Sequence, residues 1–383
     1  MIYSTMPAFS YRIDTELAKR KQLGLERSLL SLEGANSVEF SVSGKSYINF
    51  SSNDYLGLAS SKQLAKAWQE GIDKYGAGSA ASPMVTGHSV AHQTLEETLC
   101  EWFGYDRAIL FNSGFAANQA VLFSLLGKAD FLVQDKLNHA SLMEAGILSP
   151  AQMKRFKHND VADLKRIIAD NPALVVTEGV FSMDGDCAPL DDIATACQQS
   201  DSWLMVDDAH GVGVLGERGV GSIAGMEIQP QLLVVTFGKA FGLSGAAILC
   251  DQRVGNYLTQ FSRHHVYSTA MPPSQAYALT EAANMLQQQQ WRREHLAELQ
   301  LTYDQKLQEQ AGYVATTTPI KPFICGSVDK TMALASKLKQ HGFWVTPIRP
   351  PTVAKESCRI RITLNANHTH QQVSELAQHI INS

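Results

Sequence analysis

Residues 232–242 read LLVVTFGKAFG, a short apolar run followed at once by a lysine among glycine and aromatic residues. An apolar run of this length is typical of a strand that is buried on both faces of a sheet. Similar runs are AILF (108–111), FLV (131–133), LVV (174–176), WLMV (203–206) and AAIL (246–249). Helical periods lie between most of them, which predicts an α/β fold with a mostly parallel central sheet covered on both sides. Such sheets bind ligands beyond the carboxyl ends of their strands.

The chain on either side of this region has a different pattern. Before it, a helix is expected over 13–30, with short strands over 38–42 and 47–50. After it, helical periodicity runs from Pro273 to about Gln310. The tail alternates strand-like and helical segments, namely PIKPFICG (319–326), a helix over 330–341, FWVTPI (343–348), CRIRITL (358–364) and a helix from His370. We therefore expect an N-terminal arm over 1–55, a large domain over 56–285 and a small α+β domain over 286–383.

Composition excludes several classes of protein. The chain has 383 residues, of which 45% are hydrophobic and 18% are charged, and its net charge is −5. This balance gives no indication of nucleic-acid binding. No apolar run reaches the ~18 residues of a membrane span, and the N-terminus lacks the pattern of a signal peptide. The six cysteines are dispersed with no CxxC pair and are most simply reduced, so we expect a cytoplasmic protein. The charged fraction lies below the roughly 25% of soluble domains, which favours a surface buried against another subunit.

Lys239 is the first candidate for chemistry, because it stands just beyond the LLVV run among small and apolar residues. Apolar surroundings lower the pKa of a lysine, and a neutral amine forms Schiff bases with carbonyl compounds. The alternative is an exposed lysine in a turn, and this segment alone does not decide between the two.

The WLMV run leads into Asp207, Asp208, Ala209 and His210. A carboxylate that faces a pyridine nitrogen keeps that nitrogen protonated and makes the ring an electron sink. Two acids and a histidine at one strand end could therefore anchor a cationic ring nitrogen and a phenolic oxygen. A metal pair or a capping cluster is the alternative, and Asp208 is also interpretable as a turn residue.

Three further strand ends carry polar groups. Glu178 and Ser182 follow the LVV run and could reach a ligand. Gly114 and Phe115 precede a helix expected to begin at about residue 116, and free N–H groups at a helix start bind phosphate. His139 follows the FLV run, where it could stack on a planar ring or simply cap a helix.

Two other motifs do not support a site. Residues 211–216 read GVGVLG and match GxGxxG, but no helical period follows, and the dinucleotide motif requires a helix there. His88, His92 and Glu96 are spaced for one helical face, but the segment lacks the glutamate of HExxH. The sequence therefore predicts no metal site.

Several segments together resemble the fold-type I enzymes that use pyridoxal 5′-phosphate (PLP), and more narrowly the α-oxoamine synthase family. They are NSGFAANQA (112–120), NHASLMEA (138–145), TEGVFSMDGDCAPL (177–190), VDDAHGVGVLGERG (206–219), TFGKAFGLSGAA (236–247) and YSTAMPP (267–273). The resemblance extends from SSNDYLGLA at 51–59 to RPPTV at 349–353 and implies an aspartate-aminotransferase-like fold with PLP as cofactor.

The resemblance also implies roles for individual residues. Lys239 matches the lysine that holds PLP, Asp207 the acid facing the pyridine nitrogen, His210 the partner of the phenolic oxygen and His139 the histidine stacked on the ring. Further matches to cofactor contacts are Gly114, Phe115, Glu178, Ser182, Thr236 and, from the neighbouring subunit of a homodimer, Ser268 and Thr269. Matches on the substrate side are Asn53 and Arg349 near the amino-acid carboxylate, and Arg27 and Thr352 near the acyl group.

The family's chemistry is the decarboxylative condensation of an amino acid with an acyl thioester. The forms GDCAPL and AHGVGVLGERG favour L-alanine and a pimeloyl thioester, carried on CoA or an acyl carrier protein, in biotin biosynthesis. The loop GAGSAASPMVTGHSVAHQTLE (76–96), expected near the acyl pocket or the dimer contact, has fewer glycines than is usual in the family. Glycine C-acetyltransferase and other α-oxoamine synthases are the alternatives, and an aminotransferase, a zinc hydrolase or a non-catalytic binding protein would be other classes.

Overall fold

The computed structural model describes residues 7–383. Its strands are β1 (Glu39–Val42), β2 (Lys45–Asn49), β3 (Arg107–Phe111), β4 (Phe131–Asp135), β5 (Gln152–Phe156), β6 (Ala173–Glu178), β7 (Trp203–Asp207), β8 (Leu232–Thr236), β9 (Ala246–Cys250), β10 (Ile320–Gly326), β11 (Phe343–Trp344), β12 (Thr346–Ile348) and β13 (Cys358–Thr363). Its α-helices are α1 (Pro7–Gln22), α2 (Lys62–Tyr75), α3 (Val90–Phe103), α4 (Gly114–Leu125), α5 (Ala140–Leu148), α6 (Val161–Ile168), α7 (Leu190–Gln199), α8 (Gln252–Phe261), α9 (Arg263–Val266), α10 (Pro273–Gln288), α11 (Gln290–Leu307), α12 (Val328–Gln340) and α13 (His370–Ile381).

The central sheet has the strand order β3-β9-β8-β7-β6-β4-β5. Strands β5, β4, β6, β7 and β8 are parallel, and β9 runs antiparallel to both of its neighbours. The prediction of a mostly parallel sheet is therefore confirmed. Strand β5 was missed, because at the sheet edge its residues QMKRF are mostly exposed and show no apolar run.

Both faces of the central sheet are buried, which explains the continuous apolar runs. On one face Val175, Val206 and Leu233 join the larger core, whereas the alternate residues Val176 and Met205 join a second core on the other face. Because successive side chains of a strand point to opposite faces, a strand covered on both sides needs apolar residues at every position.

Two smaller sheets lie outside the central one. Strand β2 of the N-terminal region pairs in parallel with β11 near the end of the chain, in the order β1-β2-β11. The other sheet has the order β10-β13-β12 with antiparallel pairing. The domain boundaries at 55 and 285 stay a prediction.

The expected helix over 13–30 is wrong at its end, because α1 stops at Gln22. Gly24 follows with a φ of +62°, a left-handed conformation that glycine adopts at little cost and that ends helices. The three basic residues in the last turn of α1, Lys19 to Lys21, also favour a helix end, since they face the negative end of the helix dipole.

The long helical stretch after Pro273 is two helices rather than one. The break is at Gln289, whose ψ of 61° leaves the helical region. Its side-chain oxygen accepts a hydrogen bond from Arg292 Nε at 2.7 Å, and Arg292 Nη1 donates to the Leu56 carbonyl at 2.7 Å. The glutamine-rich segment therefore forms the junction between α10 and α11. Among the described residues, no helix has the length and apolar character that crossing a membrane requires.

Candidate active site

Polar side chains from several strand ends meet in one cavity of about 300 Å³ at the carboxyl edge of the central sheet. The predicted site residues that line it are Asn53, Gly114, Phe115, His139, Glu178, Asp207, His210, Thr236 and Lys239. The register explains the meeting, because Glu178 and Asp207 are paired residues at the ends of β6 and β7. A larger groove of about 560 Å³ lies on helices α2, α3 and α10. We place the candidate active site in the smaller cavity, because polar residues from several strand ends line it.

A hydrogen-bonded chain fixes Asp207 at the base of the cavity. Its Oδ2 accepts from Asn118 Nδ2 at 2.7 Å, and its Oδ1 accepts from the Ala209 N–H at 3.0 Å. Asn118 Nδ2 also donates to Ser141 Oγ at 2.9 Å. Asp207 is buried, at 5% exposed, and these hydrogen bonds fix the orientation of its carboxylate. Asn118 and Ser141 were not among the predicted site residues, because neither follows a strand end directly.

His139 caps helix α5, and this contact decides its protonation. Its Nδ1 accepts a hydrogen bond from the Ser141 N–H at 3.2 Å. Because Nδ1 is the acceptor, the proton of the neutral ring lies on Nε2. Burial lowers the pKa of His139, and the Lys239 amine lowers it further against the opposing effect of Asp207. His139 is therefore a neutral ring with one N–H left to donate, and of the two roles that the sequence left open the structure shows the helix cap, whereas stacking on a ring stays a prediction.

Burial lowers the pKa of Lys239, although the Asp207 and Glu178 carboxylates favour its charged form. Burial likewise raises the pKa of Glu178 well above its usual value, and the neighbouring Asp207 charge adds to this effect. A lysine with a lowered pKa has more of the neutral amine that attacks carbonyl carbons and removes protons. The site thus favours a nucleophilic lysine over an exposed turn residue.

His210 is held by a residue that sequence reasoning had not assigned, Tyr55. The Tyr55 hydroxyl and His210 Nδ1 are 2.5 Å apart in a buried hydrogen bond. Burial lowers the pKa of His210 well below its usual value and raises that of Tyr55 to about 12. Both groups therefore stay neutral near pH 7. The segment SSNDYLGLA had contributed to the resemblance, which was the available signal for Tyr55.

Arg361 is a second missed residue, and it ties together two predicted ones. Its Nη2 donates to Asn53 Oδ1 at 3.1 Å and its Nε to the Ser182 carbonyl at 2.6 Å. Arg361 is 6% exposed. Its signal in the sequence was an arginine inside the strand-like run CRIRITL, where burying a charge requires partners.

Some predicted residues lie away from the cavity of this chain. Ser268 and Thr269 line a separate small pocket, although Asn112, which lines both, donates to the Thr269 carbonyl at 2.9 Å. Ser182 stands behind the cavity, where its carbonyl holds Arg361. Arg27 is exposed on non-helical chain, and Thr352 is exposed as well. Arg349 Nη1 donates to the Gly24 carbonyl, which brings the chain before Arg27 close to residue 349.

The start of helix α4 corrects one expectation. The helix begins at Gly114, with Ser113 Oγ accepting from the Ala116 N–H at 3.1 Å, so Gly114 and Phe115 form its first turn. A Cβ on Gly114 would press on Thr236 Cγ2, at 2.6 Å. This close approach of helix start and strand end needs glycine.

Asp208 and the two motifs that did not support a site have structural roles. Asp208 turns inward, where its carboxylate accepts from the N–H and Oγ of Ser222 at 2.9 and 2.6 Å. The GVGVLG segment forms turns and no helix. His92 uses both ring nitrogens, one with Ser89 and one with the Met271 carbonyl, so it has no lone pair free for a metal shared with His88.

A partly buried ion-pair clamp holds the loop that carries Ser182. His158 lies between two carboxylates, with Nδ1 at 3.0 Å from Asp135 Oδ1 and Nε2 at 2.7 Å from Asp186 Oδ2. Asp184 in the same loop pairs with Arg359. Burial alone would lower the pKa of His158, but the two carboxylates outweigh it and raise the pKa to about 9.

This raised pKa predicts pH-dependent stability. The contribution of protonated His158 is fully present below about pH 6.5, the pKa of an unfolded histidine, and is lost as the pH rises through about 9. We expect His158→Gln to lower the free energy of unfolding by about 2 kcal/mol near pH 6 and by much less near pH 10. Urea unfolding of both proteins at the two pH values measures this. An equal difference at both would contradict the clamp.

The class of protein follows from comparison with known families. The family model for class I and II aminotransferases matches residues 45–380. The chain therefore belongs to the class I and II aminotransferase family. Its fold is the fold type I of PLP-dependent enzymes, as the resemblance implied.

Similar proteins of known function narrow the class of enzyme further. The chain is 60% identical to the 8-amino-7-oxononanoate synthase of Vibrio campbellii over 373 residues, 97% of each chain. The 8-amino-7-oxononanoate synthase structure from Francisella tularensis is 31% identical with a TM-score of 0.78, covering 88% of this chain and 97% of that one. A serine palmitoyltransferase from S. paucimobilis, solved with a bound PLP–myriocin adduct, is 25% identical with a TM-score of 0.90, covering 98% of this chain and 97% of that one.

Proposed function

We propose that this chain is an enzyme that uses PLP to condense L-alanine with a pimeloyl thioester, giving 8-amino-7-oxononanoate, CO2 and the free thiol in biotin biosynthesis. The observation that carries the proposal is the 60% identity to an 8-amino-7-oxononanoate synthase across 97% of both chains. The expectation that the enzyme is cytoplasmic stays a prediction.

The residues of the cavity fit PLP. Thr236 Oγ1 is buried and has no hydrogen-bond partner within residues 7–383, so it is free to serve a ligand. The first turn of α4 offers free N–H groups, which suit a phosphate. Asp207 offers a carboxylate for a protonated ring nitrogen, and Lys239 offers the amine for an aldehyde. We assign Gly114, Phe115, His139, Glu178, Ser182, Asp207, His210, Thr236 and Lys239 to PLP.

When bound, PLP supplies an electron sink that weakens the bonds at the alanine Cα. Lys239 is the base that takes the Cα proton and later returns one, since burial favours its neutral amine. Asp207 stabilises positive charge at the base of the cavity, and Asn118 prevents its rotation. His139 keeps an Nε2–H with which to orient an acyl oxygen.

In the proposed reaction, each bond that forms at the reacting carbons replaces one that breaks. A C–C bond forms between the alanine Cα and the pimeloyl carbonyl carbon, and the C–S bond breaks to free the thiol. The bond from Cα to the carboxylate breaks and releases CO2, and a proton then replaces it. Asn53, held by Arg361, lies on the cavity wall where we place the alanine carboxylate, and we extend this side to Arg349. We assign Arg27 and Thr352 to the acyl side.

Product analysis tests the substrate assignment. The purified enzyme is given L-alanine or glycine, each with pimeloyl-CoA or acetyl-CoA, and products are identified by mass spectrometry. We expect 8-amino-7-oxononanoate from L-alanine and pimeloyl-CoA to form fastest. Faster reaction of glycine with acetyl-CoA would instead make the chain a glycine C-acetyltransferase. Pimeloyl-acyl carrier protein is the third acyl donor to compare.

We also propose that the enzyme is a homodimer in which Ser268 and Thr269 complete the site of the partner subunit. In support, Tyr267 beside them is 79% exposed, and Val85 is 75% exposed. Helix α9, just before Tyr267, contacts the turn that carries Val85, and exposed apolar patches mark subunit interfaces.

Coexpression tests the shared site. A Lys239→Ala chain and a chain with Ser268→Ala and Thr269→Ala should each have little activity alone. Coexpressed, they should recover about a quarter of the wild-type rate, since half of the dimers are mixed and each has one intact site. Tyr267→Asp should yield monomers by light scattering, whereas Leu301→Asp, a matched change at a residue 59% exposed on α11, should not. Absence of recovery in the coexpressed pair would contradict sharing.

A further inference from the structure

Three metal-ligating side chains meet far from the cavity residues in sequence, between helices α11 and α13. His295 Nδ1 is 3.4 Å from Glu298 Oε2, and His370 Nε2 is 3.6 Å from the same oxygen. Within residues 7–383, no other trio of histidine, cysteine or acidic side chains brings its ligand atoms within 4.8 Å of one another. The PLP chemistry does not use these residues.

The contacts of His295 assign its ring proton. Its Nε2 is 3.0 Å from the His368 carbonyl oxygen, which can only accept a hydrogen bond. A neutral His295 ring therefore carries its proton on Nε2, and its Nδ1 then turns a lone pair toward Glu298. This is the arrangement of metal-binding histidines, which donate their second ring N–H to a carbonyl or carboxylate.

His370 is oriented in the same sense by Thr302. The Thr302 hydroxyl donates its proton to the Glu298 carbonyl at 3.0 Å and lies 2.8 Å from His370 Nδ1. Because that hydroxyl proton is already used, His370 Nδ1–H donates to the hydroxyl oxygen. His370 Nε2 is then left with a lone pair facing Glu298 Oε2.

With one proton on each ring, these contacts leave His295 Nδ1 and His370 Nε2 facing Glu298 Oε2 with their lone pairs. A cation at the centre would be bound by all three ligand atoms. Zn²⁺ bonds of about 2.0–2.1 Å in a tetrahedral site place neighbouring ligand atoms about 3.3–3.4 Å apart. The observed separations of 3.4 and 3.6 Å are close to this spacing.

We propose that His295, Glu298 and His370 form a binding site for a transition-metal dication of the Zn²⁺ type, with solvent as a further ligand. The His370 and Glu298 side chains are 52% and 61% exposed, so an ion can enter from solvent. A bound ion would link α11 to the start of α13 and stabilise the C-terminal part of the chain. Imidazole ligands select Zn²⁺ over Mg²⁺, which prefers oxygen ligands.

The chain contains a matched control for this site. His88 Nε2 lies 3.3 Å from Glu96 Oε2, a histidine–glutamate pair of the same separation. Its neighbour His92 has both ring nitrogens in other hydrogen bonds, so the pair lacks a third ligand. Substitution at His88, whose side chain is 39% exposed, therefore removes a solvent-accessible histidine without removing the proposed site.

Zinc titration of the full-length holoenzyme against a competing chromogenic chelator tests the proposal. Wild type and His88→Gln should each bind one Zn²⁺ per chain. His370→Gln and Glu298→Gln should bind that ion at least about tenfold more weakly. Zn²⁺ should raise the melting temperature of the first pair only, and Mg²⁺ should raise none. Since all four proteins share every cysteine, the difference between them isolates the trio.

Two results would overturn the metal site. One is equal zinc affinity in wild type, His370→Gln and Glu298→Gln. The other is no zinc binding by wild type, in which case protonated histidines neutralise Glu298 instead. Melting in chelator establishes that the variants fold, and the near-isosteric Glu298→Gln keeps the shape of the site. The outcome is independent of alanine condensation, because the trio contacts none of the cavity residues named above.

Discussion

Lys239→Ala should lose the visible absorbance of lysine-bound PLP and lower turnover by about 10²–10⁴-fold or more. Lys239 lines the cavity between Asp207, His139 and Thr236, and burial lowers its pKa. The substitution removes the amine that would bond to the cofactor and the base that would move the alanine proton. Absorbance spectra and steady-state rates on protein purified with added PLP measure both effects.

Lys136→Ala is the matched control for this variant. Lys136 follows β4 at the same edge of the sheet, but its side chain is exposed. This variant should keep the absorbance and the rate of wild type. Retained absorbance and turnover in Lys239→Ala would refute the assignment of Lys239.

Asp207→Asn should lower turnover by roughly 10²-fold, the scale of losing one preorganised electrostatic contact. An amide cannot hold a proton on the ring nitrogen of PLP by charge, and it offers one acceptor oxygen where Asn118 and Ala209 now use two. The release of PLP on dilution should also be faster. Far-ultraviolet circular dichroism should report a normally folded protein.

Asp208→Asn is the comparison variant. Asp208 is adjacent to Asp207 in the chain, but its carboxylate faces Ser222 rather than Asn118. Asp208 is fully buried among the backbone and hydroxyl of Ser222, and burial raises its pKa to about 7. We expect this variant to lose about 1–3 kcal/mol of unfolding free energy and to keep its bound PLP. If Asp208→Asn lost the cofactor and Asp207→Asn kept full activity, our assignment of the two would be reversed.

The central sheet and the centre of the site could be predicted from the amino-acid pattern. Continuous apolar runs are required where both faces of a strand are covered, and parallel strands bring their carboxyl ends to one edge. Asp207 and Glu178 end such strands, and Lys239 and His139 stand in the short segments just beyond theirs, so their meeting required little more than the sheet. Edge strand β5 lacked the pattern, because its side chains face solvent.

Only the tertiary structure decided the contacts between distant segments. Tyr55 reaches His210, and Arg361 reaches Asn53, across more than a hundred residues of chain, and no periodicity encodes such pairs. No periodic pattern predicts the meeting of His158 with its two carboxylates, or of His370 with His295 and Glu298. Local sequence determines which elements form and which faces are apolar. The packing of those elements determines which polar side chains meet, because their hydrogen bonds depend on distances that arise only when helices and sheets are assembled.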